Sequence, residues 1–209
     1  MKIIKPSIHI EPFDGMTMLK NIEMAGRTCY KSEINITDET APLFVKMIIA
    51  RGHESVLEHE KISVRIICDR GVTHELVRHR IASYSQESTR YVNYKEGIEV
   101  IEPLDMTNKI EGAYIWWTQA MNHVERTYKD MIEAGATPQM ARSVLPNCLK
   151  TEIVCTMNLR EWRHFFKLRC AKAAHPQMRE IALMILKEFV DKLPTVFDDI
   201  GGEYGFGKS

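Results

Sequence analysis

Apolar and polar positions alternate most cleanly over residues 61–70. Ile62, Val64, Ile66 and Cys68 share one face there and Lys61, Ser63 and Arg65 the other, which predicts a half-buried strand. The opening residues alternate loosely and read as a strand, and the β-branched run 149–158 reads as a long one. Short strands are predicted over 91–94 and 99–101. Elsewhere the period lengthens toward 3.6. Asp14 caps a predicted helix over 16–30, and Thr37 or Asp38 caps another over 39–51 that stops at Gly52. Gly71 breaks the first long strand, and 72–80 read as a short helix. The longest helix is predicted over 109–134 with Gly135 behind it. Ile110, Ala113, Tyr114, Trp117, Met121, Val124, Tyr128 and Met131 keep helical spacing along its inner face. Thr137 and Pro138 form an N-cap and first-turn pair for a short helix ending near Pro146. Residues 159–169 are helical, with Trp162, Phe165, Phe166 and Arg169 on adjoining faces. Pro176 opens the last predicted helix, with Met178, Ile181, Ala182, Ile185 and Phe189 inward. Helices outnumber strands and the two do not alternate regularly. The expected class is therefore α+β, a mixed or antiparallel central sheet packed with several long helices, rather than a doubly wound sheet.

Length and composition narrow the function. A chain of 209 residues is long enough for one substantial core, so a single domain over 1–209 is expected, with the glycine-rich stretch 201–209 as a frayed tail. Lys plus Arg (28) equals Asp plus Glu (28), which argues against a protein that coats nucleic acid but leaves room for a local anion site. The chain has no run of about 18 apolar residues and no signal-peptide pattern, so no membrane partner is expected. Five cysteines with no CxxC pair point to reduced thiols and a cytoplasmic protein.

The charge that matters is local. Residues 78–91, RHRIASYSQESTRY, hold three Arg, one His, three Ser and two Tyr. Arg78, His79 and Arg80 are consecutive, so no helix or strand places all three on one face. A hydroxyl-rich turn is expected after them. A solvated surface usually mixes signs, whereas Glu87 is the sole carboxylate in this stretch. The chain has no phosphate-binding GxxxxGK[ST] loop and no usable GxGxxG. An anionic ligand would have to be held by side chains, and the planar fork of Arg suits that task. Arg78, Arg80 and Arg90, with Arg142, Arg160 and Arg169 further on, could supply more than one anion subsite, although isolated Arg142 reads more simply as solvated surface.

Other motifs fail their tests. In HELVRH, His74 and His79 are five apart, about 140° around a helix, and Arg78 stands where a second zinc ligand belongs, so no metal is expected. GHESVLEH fails in the same way with Leu57, although His53 and His59 could form a polar site at a helix exit. Ser83, Ser85 and Ser88 lack a GxSxG elbow, and Cys148 reads as a buried thiol. The helix NLREWRHFFKLR is richer. From Arg160 to Lys172 five Arg or Lys residues face Glu161 alone. Asn158, Arg160 and His164 could line one side of a pocket, and Arg169 lies less than a turn past Phe165 and Phe166. A basic solvent face on an amphipathic helix explains the spacing equally well.

Arg78-His79-Arg80, seven residues and then Ser88 resembles the RHRx7S signature of the flavin-dependent thymidylate synthases. The resemblance extends to GHESVLEH (52–59), ARSVLP (141–146), TMNLR (156–160), LR (168–169) and HPQ (175–177), nearly the whole chain. It implies that family's fold and the conversion of dUMP to dTMP. Methylenetetrahydrofolate would give the one-carbon unit, FAD reduced by NADPH would supply hydride, and the active sites would be shared within a homotetramer. It implies contacts to FAD from His53, Ser55, Arg78, His79, Arg80, Gln86, Asn158, Leu159, Arg160 and His164. It implies contacts to dUMP from Glu75, Leu76, Val77, Arg78, Gln86, Glu87, Ser88, Thr89, Arg90, Arg142 and Arg169. Arg169 takes the catalytic role, its charge favouring the N3-deprotonated uracil and so a more nucleophilic C5. Ser88 becomes a ligand, not a nucleophile. The chain departs from the family pattern at Glu75 (often Gln), Ser85 (often Asn), Gln86-Glu87 (an acidic then an apolar residue) and His164 (often Asn). Two other readings use the same arginines: a metal-dependent nucleotide phosphohydrolase, and a non-enzymatic single-strand nucleic-acid binder. The missing carboxylate cluster counts against the first and the zero net charge against the second.

Overall fold

A computed structural model describes residues 1–29, 31–104, 106 and 111–207. Its strands are β1 (Lys2–Ile4), β2 (Ser7–Ile10), β3 (Lys61–Asp69), β4 (Ala82–Gln86), β5 (Glu99–Ile101) and β6 (Lys150–Asn158). Its helices are α1 (Gly15–Thr28), α2 (Thr40–Ala50), α3 (Arg70–Leu76), α4 (Glu111–Glu133), α5 (Pro138–Ala141), α6 (Leu159–Arg169), α7 (Pro176–Lys192) and α8 (Pro194–Gly201). Short 3-10 turns occupy Glu54–His59, Arg142–Val144 and Gly202–Tyr204.

Local chemistry accounts for most boundaries. The Asp14 carboxylate accepts the Thr17 amide at 2.6 Å and starts α1. Thr37 Oγ1 accepts the Thr40 amide at 3.1 Å at the head of α2, and Gly52 takes the left-handed φ of 71° behind it. In β3 the alternation holds: Ile62, Val64, Ile66 and Cys68 are buried. The predicted end of α1 at Tyr30, and the predicted start of the long helix at Lys109 and Ile110, lie outside the described residues.

Three expectations are corrected. Residues 91–94 are not a strand. The amides of Tyr91 and Val92 both donate to the Ser88 carbonyl, at 3.1 and 3.0 Å, so a turn overrides the aromatic and β-branched propensity. The stretch 82–86, read as a turn, is β4, because pairing with β6 satisfies its backbone whatever its hydroxyl content. The helix opened by Pro176 is not the last, since Pro194 begins α8. Behind α8 a 3-10 turn follows, and the Phe206 amide donates to the Gly201 carbonyl at 3.0 Å.

One sheet has the order β2-β3-β6-β4, and a smaller one pairs β1 with β5 in parallel, Lys2 opposite Glu99 and Ile4 opposite Ile101. Leu159 donates its amide to Glu60 O, and Ser63 Oγ meets Thr156 Oγ1 at 2.7 Å. The partners run in opposite directions, so β3 and β6 are antiparallel. The class is α+β, as expected.

The chain divides into two compact units. The first comprises Met1–Ile8, Arg65–Arg78 and Tyr84–Val154. Its core is Ile98, Val100, Met121 and Leu149, with Ile3, Trp117 and Val124 against it, so α4 buries the face its periodicity predicts. The second comprises His9–Val64, His79–Ser83 and the chain from Cys155 onward. Trp162, Phe165 and Phe166 of α6 pack with Phe189 of α7 and Phe197 of α8, ring centroids 5.1–5.7 Å apart. Trp162 Nε1 donates to Ile62 O at 3.0 Å, so the buried indole keeps its hydrogen bond. This aromatic block fixes α6, and α6 carries the most chemistry.

Candidate functional site

Asn158 ends β6 and caps α6, its Oδ1 accepting the Glu161 amide at 2.8 Å. That cap turns Glu161 toward His79. Glu161 Oε1 lies 3.0 Å from His79 Nδ1, and Arg169 Nε lies 3.0 Å from His79 Nε2. The arginine can only donate, so His79 Nε2 must accept, and the proton of the neutral ring sits on Nδ1 facing the carboxylate. His79 is 6% exposed and Glu161 9%. Burial lowers the His79 pKa, the Arg169 charge lowers it further, and the Glu161 hydrogen bond opposes both; the net direction is down, so the ring is neutral near pH 7. Phe165 meets the ring edge-on with centroids 5.0 Å apart, and His164 does so at 6.0 Å.

A cleft of about 470 Å³ opens beside this chain of contacts. Glu54, Glu58, Ile81, Asn158, Arg160, Glu161, His164 and Lys167 line it. The volume falls within the range of about 300–1,000 Å³ usual for small-molecule sites. Asn158, Arg160 and His164 thus line one cleft. Arg160 Nη1 meets Glu58 Oε1 at 2.6 Å, so part of its charge is already matched. His53 and Ser55 are exposed on either side of Glu54 in the 3-10 turn, Arg80 is exposed, and Leu159 is buried in the core.

Arg163 explains why that turn stands where it does. It is 2% exposed; its Nε donates to Glu54 at 3.1 Å, its Nη2 to Asp199 at 2.6 Å, and its Nη1 to Asp199 and to the Val196 carbonyl. One guanidinium therefore holds the 54–59 turn and α8 against α6.

The remaining predicted residues lie in the first unit. Leu76 is buried, while Val77 and Arg78 are exposed at the end of α3 and Glu75 is half-buried. Gln86 Nε2 donates to Thr73 Oγ1 at 3.1 Å and Thr151 Oγ1 at 3.2 Å. Ser88 Oγ accepts the Arg90 amide at 3.3 Å, which suits a turn residue rather than an activated nucleophile. Thr89 is buried. Arg90 Nε meets Gln139 Oε1 at 3.3 Å, and Arg142 is exposed at the end of α5. Glu87 now has a structural explanation: Tyr94 Oη donates to its Oε1 at 2.7 Å and Lys150 Nζ lies 2.9 Å from its Oε2. The carboxylate pins the 87–94 loop to β6. Burial pushes the Cys148 thiol pKa up, which suits a packing residue and not a nucleophile.

Three donors at one place raise the question of a metal. His79, Glu161 and His164 offer ligand atoms within 4.8 Å of one another. A metal on His79 Nδ1 would force the ring proton onto Nε2, directly against the Arg169 N–H. The hydrogen-bonded arrangement therefore opposes metal ligation. The residues that sequence reasoning missed are Glu54, Glu58, Ile81, Glu161, Arg163 and Lys167. Glu161 had a signal, a carboxylate three residues after an Asn cap in an otherwise basic segment. Glu54 and Arg163 had none, because they are 109 positions apart.

Residues 14–195 match the family model described as Thy1, thymidylate synthase complementing protein. A flavin-dependent thymidylate synthase of Geobacter sulfurreducens is 36% identical over 190 residues, 86% of this chain and 81% of the relative. One of Pyrococcus furiosus is 35% identical over 187 residues, covering 87% and 75%, and one of Mycobacterium leprae 38% over 208 residues, covering 89% and 80%. A crystal structure of the UMP/dUMP methylase PolB from Streptomyces cacaoi, bound with 5-Br dUMP, superposes with a TM-score of 0.81 over 97% of both chains at 18% identity, a likeness of fold. A model match across most of the chain, supported by flavin-dependent thymidylate synthases more than a third identical to it over the aligned residues, shows that this chain belongs to the Thy1 family.

Proposed function

We propose that the protein is a flavin-dependent thymidylate synthase: it methylates dUMP to dTMP with methylenetetrahydrofolate as one-carbon donor, FAD as cofactor and NADPH as reductant. The observation that carries the reading is the 35–38% identity to enzymes so named across most of the chain. The two units act as one functional domain over 1–209, and the working form is a cytoplasmic homotetramer that takes small-molecule substrates and no nucleic acid. No helix of the described residues is long and apolar enough to cross a membrane, which suits that setting.

The residues fit a flavin dinucleotide by their chemistry. The cleft on α6 offers cations at Arg160 and Lys167 for phosphate oxygens, Asn158 and His164 for hydrogen bonds, and Ile81 as an apolar wall. Arg78, His79, Arg80, Gln86 and Leu159, with His53 and Ser55, complete the proposed cofactor set. When bound, the flavin supplies hydride chemistry that side chains lack. The chain itself binds and orients. The proposed nucleotide set is Glu75, Leu76, Val77, Arg78, Gln86, Glu87, Ser88, Thr89, Arg90, Arg142 and Arg169. Within it Glu87 acts by holding its loop to Lys150 and Tyr94. The guanidinium of Arg169, its plane fixed by His79, stabilises negative charge on the uracil ring and so favours attack from C5.

Purified protein is expected to be yellow with a flavin spectrum, and to form dTMP from dUMP only when methylenetetrahydrofolate and NADPH are both present. Colourless protein that takes up no added FAD refutes the reading. Divalent-metal-dependent release of phosphate from dUMP would favour a phosphohydrolase instead.

A further inference from the structure

We propose that Glu161 is the positioning residue of this site: through His79 it orients the guanidinium of Arg169. This inference rests on the activity proposed above.

The argument starts from donors and acceptors. A neutral imidazole carries one proton, and only the bare nitrogen accepts. Arg169 approaches His79 Nε2 with an N–H at 3.0 Å, so the contact exists only while that nitrogen is bare. Something must therefore keep the proton on Nδ1. Glu161 Oε1, 3.0 Å from Nδ1, offers an acceptor there, and the Nδ1–H form donates to it. The charged and titratable groups that act on the ring include Glu161, Arg169 and His164 of α6.

Glu161 is itself held from two directions. It sits in the first turn of α6, and its backbone amide is fixed by the Asn158 cap at 2.8 Å. His79 is packed by Phe165, so the ring cannot swing to find another partner without leaving its edge-on contact. Cap, carboxylate, imidazole and guanidinium thus form one chain of fixed directions. Glu161 also lines the cleft on α6, but its action on Arg169 runs through His79.

Glu161→Gln tests the idea, because the amide keeps the shape while adding a donor. Its NH2 can face Nδ1, which moves the ring proton to Nε2 and opposes two N–H groups between His79 and Arg169. The first readout needs no turnover. Protein labelled with 15N in its histidine rings reports which nitrogen carries the proton, and the signal absent from a His79→Gln sample identifies His79. Wild type is expected to show Nδ1 protonated and Nε2 bare, and E161Q the reverse. The second readout is kinetic: kcat falls about 10–100-fold, the range for losing the outer partner of a functional imidazole, while the KM for dUMP stays within about threefold. Glu161→Asp keeps the charge and is expected to keep the wild-type proton placement with a kcat above that of E161Q. Wild-type proton placement in E161Q overturns the proposal, as does a kcat within about twofold of wild type, or an E161D as slow as E161Q. Wild-type protein that makes no dTMP yet shows the expected His79 protonation refutes the activity and leaves the positioning intact.

Discussion

Replacing Arg163 by Met tests how the second unit is held together. The guanidinium is 2% exposed and serves three acceptors: Glu54, Asp199 and the Val196 carbonyl. Met fills most of the volume but supplies no donor. Removing one member of a buried ionic group costs about 3–5 kcal/mol, mostly because the partners are left unpaired. The Asp199 side chain is 51% exposed and can recover water, whereas Glu54 is 19% exposed and recovers less, which places the loss near the lower end, about 3 kcal/mol. At about 2–4 °C per kcal/mol for a chain of this size, the melting temperature should fall by about 6–12 °C. The pH dependence carries a sign. Burial alone would raise the Asp199 carboxyl, but the Arg163 hydrogen bonds and charge outweigh it and hold the pKa below the ordinary value. A depressed carboxylate stabilises the fold above its unfolded pKa of about 3.9, and that stabilisation disappears as the pH falls through the folded value. The gap between wild type and R163M should therefore be full at pH 7 and narrow below about pH 4. Thermal melts followed by circular dichroism across that range measure it. A gap under 2 °C at pH 7, or one that stays constant into acid, would refute the reasoning. The triple variant R163M/E54Q/D199N should regain most of the loss, because no buried charge is then left unpaired.

Arg169→Ala should keep its flavin and lose turnover: a unit charge about 4 Å from a developing uracil anion, at an effective dielectric of about 20, contributes about 4 kcal/mol, or about 10³-fold in kcat. Turnover within tenfold of wild type, from steady-state kinetics on flavin-loaded protein, would remove that role. Glu87→Gln keeps the Tyr94 contact but ends the charge pair with Lys150. The KM for dUMP should rise about tenfold, matching about 1.5 kcal/mol of charge-assisted bonding, with flavin content unchanged; a fall in kcat at constant KM would instead place Glu87 at the reacting atoms. Gly201→Ala puts a Cβ into Val190 and 3.1 Å from the Phe206 carbonyl. It should cost about 1–3 kcal/mol in denaturant titrations, and unaltered stability would show that the tail gives way freely.

Several levels of this protein were legible in the chain itself. The period-2 run at Ile62, Val64, Ile66 and Cys68, the cap at Asp14 and the Gly52 stop each depend on a few neighbouring residues, and each appears where it was read. The RHRx7S spacing pointed to the family for the same reason, because a signature is a local pattern. The arginine-rich composition of 78–91 raised the expectation of anionic ligands. What the chain did not reveal was pairing. Residues 82–86 became a strand only because β6 satisfies their backbone, and residues 91–94 entered a turn because the Ser88 carbonyl took the amides of Tyr91 and Val92. Glu161 and His79 are 82 positions apart, Arg163 and Glu54 109, and Glu87 and Lys150 63. Contacts at such separations depend on how whole elements pack, since a side chain's partner is set by distance in space and not along the chain. The amino-acid order alone determined the local elements, the family signature and which side chains could bind anions. Only the tertiary structure decided which carboxylate meets which cation, and hence on which nitrogen His79 holds its proton.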